Sequence, residues 1–191
     1  MLYHVLSLTI VMLESYPSGF TGYRLKFKIG HDILREKIGR WMEMKENIVA
    51  KLTAKDDKYA CALADKIILE SQETDEWYEY FDDFASLLDH PKSLVRNRVL
   101  NILAANAQWD EENRFDLIIS DFLTHITDEK PITARQCVKA LAQVGLAKPQ
   151  YIPRILSCFR DADLSKYKDS MRPLIIKDME ETKIKLTPSC E

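Results

Sequence analysis

Apolar residues recur at helical spacing through residues 44–187, and polar punctuation cuts that pattern into short segments. Ile48, Val49 and Leu52 share one side of a predicted helix over 44–53. Tyr59, Leu63, Ile67 and Ile68 stand near i, i+4, i+8 and predict a second over 56–71. Thr74 is the expected N-cap of a third helix ending near Leu88, with Asp75 and Glu76 at its positive dipole end and Trp77, Phe81, Phe84 and Leu88 on its stripe. Leu94, Val95, Val99, Ile102 and Leu103 define the inward face of a helix over 93–107. Phe115, Ile118, Ile119 and Phe122 do the same over 114–126. Val138, Leu141 and Val144 do so over 131–144, with Pro131 suited to the first position and Gly145 to the end. Pro149 and Pro153 bracket a turn into an apolar segment at 155–159. A last helix over 165–185 contains Pro173, which lacks a backbone donor and crowds the preceding turn, so a kink or break is expected near Arg172. No segment after residue 44 alternates with the period of a strand.

Three of the helix-to-helix turns repeat one pattern. In LDHPKSLVRNRVLNIL (88–103), TDEKPITARQCVKAL (127–141) and RDADLSKYKDSMRPLI (160–175) an Asp falls at 89, 128 and 161, and a basic residue follows seven positions later at Arg96, Arg135 and Lys168. The Asp positions are 39 and 33 residues apart. A helical unit repeating at that period cannot bury its stripe alone and does so against its neighbours, as in a stack of hairpins.

The segment LLDHPKSLVRNRVLNILA (87–104) resembles a HEAT repeat, with Asp89 and Pro91 in the turn and Val95-Arg96 opening the second helix. The next copy keeps Asp128, Pro131 and Arg135 but has Ala134 for Val, and the last keeps Asp161 with Lys168 in place of Arg and no turn Pro. A degenerate copy around 44–71 has Thr53 and Ala60 at the matching positions. The chain is thus similar to small bacterial HEAT-repeat proteins, including the bilin-lyase-like class. That resemblance implies an all-α fold, a right-handed α-α superhelix of about four hairpins, with the second (B) helices lining the concave side. It implies no chemistry, because this architecture hosts many functions.

Two segments are expected: an N-terminal extension at 1–43 and the repeat domain at 44–187. Four of the five Gly (19, 22, 30 and 39) lie in the extension. Its opening run LYHVLSLTIVML (2–13) is too short to span a bilayer, which takes ~20 residues, and no basic stretch precedes it as in a signal peptide. The extension reads as a cap on the stack, as a membrane-touching segment, or as residues upstream of a natural start at Met42 or Met44; the last is favoured because MKENIVAKL (44–52) opens an amphipathic helix.

Composition narrows the function classes. Hydrophobic residues make up 46% and charged residues 30% of 191, which suits a folded helical chain. A net charge of −3 gives no general attraction to nucleic acid or to an anionic membrane, so neither is an expected partner. Cys61, Cys137, Cys158 and Cys190 form no C-x-x-C pair, and the first three fall in helical apolar patterns, as buried free thiols in a reducing cytoplasm do. His4, His31, His90 and His125 share no helical ligand spacing, so no metal and no other cofactor is expected.

Asp89, Arg96, Asp128, Arg135, Asp161 and Lys168 are expected to form a structural ladder, each turn Asp accepting from a basic residue at the start of a B helix. Residues for binding are sought on the B helices: Asn97, Gln136 and Asp169, one position past each ladder residue, and Asn101, Lys139 and Arg172 one turn on. The interleaved acids and aromatics of ETDEWYEYFDDF (73–84) read as an amphipathic outer helix, with a docking surface for a basic partner as the alternative. Trp109 is expected to pack on a neighbouring helix, and Asp110, with Asn113 as the alternative, to cap the next one. The chain carries no G-x-S-x-G, P-loop or H-E-x-x-H motif. The leading expectation is a non-enzymatic scaffold that binds a protein or peptide on its B-helix face. The alternative is an enzyme resembling HEAT-like alkylpurine DNA glycosylases, for which Asp169, Arg172 and Tyr167 are the only grouping available. A chromophore-handling protein, like some lyase-type repeats, is a third reading that rests on fold analogy alone.

Overall fold

Asp56 shows how the chain starts a helix. Its carboxylate accepts from the amides of Lys58 (3.0 Å) and Tyr59 (3.1 Å), so two of the donors that have no partner in a first turn are satisfied. The helix it caps is α2, Asp57–Glu70. The computed structural model describes residues 47–187. These belong to the second of two units into which the chain divides, Met1–Glu46 and Asn47–Glu191. The expectations for residues 1–43, including the choice of start, fall outside the described residues.

The other helices are α1 (Ile48–Leu52), α3 (Phe81–Ala85), α4 (Ser93–Asn106), α5 (Phe115–Thr124), α6 (Pro131–Ala147), α7 (Ile152–Asp161) and α8 (Arg172–Leu186). Single 3-10 turns at Tyr78–Tyr80, Ala107–Trp109, His125–Thr127 and Pro149–Tyr151 join or extend them. Among the described residues there is no strand, and the fold is all-α.

The helices follow one another as hairpins α1/α2, α3/α4, α5/α6 and α7/α8, α5 meeting α6 mainly through its 3-10 extension His125–Thr127, and the second helix of each packs on the second helix of the next. Hydrogen bonds give their direction. Arg98 near the start of α4 reaches Asp57 at the start of α2, and Asn106 at the end of α4 meets Ser71 just past the end of α2. Between α6 and α8, Arg135 meets Asp178 and Val138 meets Thr182, so residue numbers rise together on both sides. The B helices α2, α4, α6 and α8 therefore run parallel in chain order.

The first helices contribute an aromatic column. Phe81 meets Phe115 edge-on at 5.2 Å between ring centroids, and Phe115 lies 6.1 Å from Phe122 and 6.4 Å from Tyr151. Phe81, Phe84, Phe115 and Phe122 have no exposed surface. Burying such a side chain contributes about 1.5–3 kcal/mol, so this column is a principal source of cohesion between hairpins.

Several details depart from the expected pattern. The third predicted helix is a 3-10 turn followed by the five residues of α3; the like charges at Asp75, Glu79 and Asp83, four apart, work against a long helix. Thr74 does not cap it: its hydroxyl donates back to Glu70 O at 3.4 Å. Tyr59 and Leu94 face outward, 49% and 41% exposed, because Ala60 and Val95 take the buried positions beside them. Gly145 does not end α6, which continues to Ala147. A Cβ there would lie 2.5 Å from Leu186 Cδ2, so this Gly permits close approach of α8. The break expected near Arg172 is where α8 begins, with Pro173 in its first turn, where a missing N–H costs little; the helix is therefore shorter than the expected 165–185.

Candidate functional site

The junction between the second and third hairpins is built around Arg96. It lies on the stripe of α4, with Val99, Leu100 and Leu103 at i+3, i+4 and i+7, all buried. Its Nε and Nη2 donate to Asp128 Oδ2 and Oδ1, both at 2.8 Å. Its Nη1 donates to the carbonyls of His90 (2.7 Å) and Pro91 (3.1 Å), so one guanidinium fastens its own turn to the next. Asp128 also accepts from the Lys130 amide (2.8 Å), and His125 Nδ1 lies 2.9 Å from its Oδ2. Burial pushes the Asp128 carboxyl up, but Arg96, the Lys130 amide and His125 outweigh it and hold it below the ordinary carboxylate value. The carbonyl of Asp128 accepts from the Tyr167 hydroxyl, which brings in the fourth hairpin. Burial, with the Asp128 charge, pushes that phenol up to about 12.

The rest of the expected ladder is arranged differently. Asp89 has no guanidinium partner: residue 60, where one would start, is Ala, and the His125 ring lies 3.8 Å from its carboxylate. Arg135 pairs with Asp178 of α8 (Nε to Oδ2, 2.5 Å), not with Asp161. Asp161 ends α7 and is exposed, next to Ser157 and Arg160. Lys168 is exposed and forms no ion pair among the described residues. Residues 162–171 cause the change: this long connection carries Asp161 away from the start of α6, and Asp178 fills the place opposite Arg135.

Other links across hairpins escaped the repeat pattern. Arg98, its side chain 4% exposed, donates to Leu52 O (2.9 Å) and to Asp57 Oδ1 (2.7 Å). Lys92 and Arg98 hold the Asp57 carboxyl below its ordinary value. The hydroxyl of Tyr78 donates to Asp110 (2.6 Å) and that of Tyr151 to Asp116 (2.5 Å). Arg98 was legible in principle, since it stands three past Val95 and four before Ile102 on the apolar stripe. The tyrosines carry no such sign.

The groove candidates divide into two groups. Asn97, Asn101 and Gln136 are half-buried and Lys139 is exposed, on the adjacent helices α4 and α6. Asn101 Nδ2 donates to Asn97 O (2.7 Å), and Asn97 Oδ1 has no partner. Lys139 Nζ is 3.5 Å from Asp178 Oδ1, which leaves its stem lying across the α6–α8 seam. Asp169 and Arg172 do not join this group. Arg172 donates to the carbonyls of Leu164, Ser165 and Tyr167 and lies 3.4 Å from Asp169, so the pair shapes the connection before α8. Tyr167 is buried and hydrogen-bonded to Asp128. The three residues of the glycosylase-like grouping thus hold the turn in place.

Trp109 and Asp110 do what was expected of them. The indole donates to Ser71 O (2.7 Å), and the Asp110 carboxylate accepts from the amides of Arg114 (2.7 Å) and Phe115 (3.3 Å) at the start of α5. The thiols do not all follow expectation: Cys137 is buried, but Cys158 is half-buried and Cys61 exposed, and all three are free. An open recess of about 250 Å³ lies between Leu123, Ile126, Cys158, Asp161 and Asp163. Among the described residues no group of three or more His, Cys, Asp or Glu is placed to hold a metal. No helix there is long and apolar enough to cross a membrane. No protein-family model, curated protein or solved structure matches the chain.

Proposed function

We propose that residues 47–187 form a HEAT-like right-handed superhelix that acts as a non-enzymatic scaffold, binding a protein or peptide partner across the B-helix face. The observation that carries this reading is the parallel order of α2, α4, α6 and α8, which sets Asn97, Asn101, Gln136 and Lys139 on neighbouring helices of one layer. Asn101 donates to Asn97 O, Asn97 Oδ1 is buried and Lys139 lies near Asp178, so a partner would meet Gln136 and the remaining valences of Asn101 and Lys139. A partner chain crossing the helices would meet donors and acceptors at successive helix spacings, about 8–10 Å apart. The register is fixed from behind by Arg96 and Asp128, so the polar face is held by groups that do not belong to it. The free thiols fit a reducing, cytoplasmic setting. The DNA-repair alternative draws no support from the geometry, because Arg172 and Tyr167 are engaged within the turn.

The test combines capture with substitution. The variant Asn97→Ala/Gln136→Ala/Lys139→Ala should lose the protein captured by the wild-type chain and keep its unfolding temperature within about 2 °C, because Arg135 still pairs with Asp178 and neither amide side chain donates a hydrogen bond within the fold. A photo-crosslinker at position 136 should label that protein, and one at Asp82 on the opposite helices should not. Capture undiminished in the triple variant sinks the reading, and so does labelling from position 82 alone.

A further inference from the structure

The turn between α5 and α6 contains a group whose hydrogen-bonding capacity is incomplete. His125 is 6% exposed, and its Nδ1 faces Asp128 Oδ2 at 2.9 Å. A carboxylate only accepts, so Nδ1 carries the ring proton of the neutral imidazole and Nε2 is left as a bare acceptor. Nε2 is buried and has no partner. Asp89 Oδ1, another acceptor, lies 3.8 Å from it. Two acceptors that face each other bond only when a proton enters between them.

We propose that His125 and Asp89 form a proton-operated clasp between consecutive hairpins: protonation of Nε2 turns it into a donor to the Asp89 carboxylate and ties the turn before α4 to the turn before α6. The tie adds a contact to the Arg96–Asp128 pair, whose carboxylate already holds Nδ1, and comes into being only on acidification. Asp89 can complete it, since its side chain is 83% exposed and the gap to a hydrogen bond is about 1 Å. The carbonyl end of α5, where His125 sits, favours a cation as well.

The surrounding charges set the balance. From α4, Arg96 opposes an imidazolium, but its charge is matched by the bidentate Asp128 and by Glu129 at 3.6 Å. Lys130, in the same turn, is 3.7 Å from Glu129. From the connection before α8, Lys166 donates to Thr127 O and Tyr167 to Asp128 O, so neither points a free charge at the ring. From α6, the Cys137 thiol is pushed up by burial and stays neutral. His90, beside Asp89, accepts at Nδ1 from the Lys92 amide (3.1 Å). Asp89 is the one carboxylate near Nε2 that no cation has matched.

Urea unfolding of the full chain and of Asp89→Ala, at about pH 8 and about pH 5.5, tests the clasp across the range in which imidazole titrates. Asp89 is exposed, so the variant is expected to fold. At the higher pH the two chains should have equal folded-to-unfolded ratios. At the lower pH the wild type should exceed the variant by about threefold, the scale of a partly exposed ion pair. The same difference in a His90→Gln background assigns it to His125. Equal ratios at both pH values overturn the proposal, and so does loss of the difference in His90→Gln. Nitrogen-15 spectra of the imidazole give a second reading: the Nδ1–H tautomer is expected at the higher pH, and finding Nε2–H there overturns the proposal too.

Discussion

Asp128 and Asp161 begin from the same sequence pattern and finish in opposite surroundings, with side chains 3% and 69% exposed. Residues 128–130 alone separate the 3-10 turn His125–Thr127 from Pro131, so Asp128 is held against the start of α4 and receives Arg96. Residues 162–171 separate Asp161 from α8, and the carboxylate is released to solvent. Spacing along the chain decides which residues belong to a repeat. Turn length decides whether they reach across it.

Substitutions can break that contrast or sharpen it. The largest effect is expected from Asp128→Ala, which leaves a buried guanidinium without its carboxylate and should cost about 3 kcal/mol in urea unfolding. Asp161→Ala should stay within about 0.5 kcal/mol, and equal losses at the two sites would remove the distinction. Acid sharpens the same comparison. The folded state holds Asp128 below the ordinary value of about 3.9. Its contribution is therefore complete above that pH and is lost as pH falls through the lower folded value. Asp128→Asn should flatten that acid limb of the stability curve, whereas Asp161→Asn should leave it in place.

Arg135→Ala is next, at about 1–2 kcal/mol, because Arg135 is 28% exposed and Lys139 remains near the buried Asp178. A loss as large as that of Asp128→Ala would mean that the two junctions are equivalent after all. The smallest loss expected at a buried contact concerns Gly145. Ala there gains about 1 kcal/mol of helix propensity but crowds the end of the Leu186 side chain, an overpacking cost of about 1–3 kcal/mol. A net cost of about 1 kcal/mol is expected, and its sign should reverse in a Leu186→Ala background, as measured by the same unfolding curves.

The hairpins were legible because burial imposes a helical period, and Phe81, Phe84, Val99, Ile119, Phe122, Val138 and Leu141 are buried as that period requires. Boundaries were less so. Pro173 permits either an interior kink or a helix start, and only tertiary packing selects between them. The ladder was half legible: Arg96 and Asp128 carry the signal and the contact, while Asp178 lies outside every repeated turn. Of the binding-face candidates, Asn97, Asn101, Gln136 and Lys139 lie on neighbouring B helices. Asp169 and Arg172 do not belong with them, because the long connection before α8 shifts the third copy out of phase.

The end of α2 offers one more consequence. Its last carbonyl, Ser71 O, is closed by Trp109 and by Gln108 Nε2, both at 2.7 Å, while Trp77 donates to Glu70 at 2.9 Å. Two indoles thus report on a single edge of the molecule. With Trp41 changed to Phe, emission colour becomes a built-in optical gauge of whether the first hairpin is seated, readable without any added label.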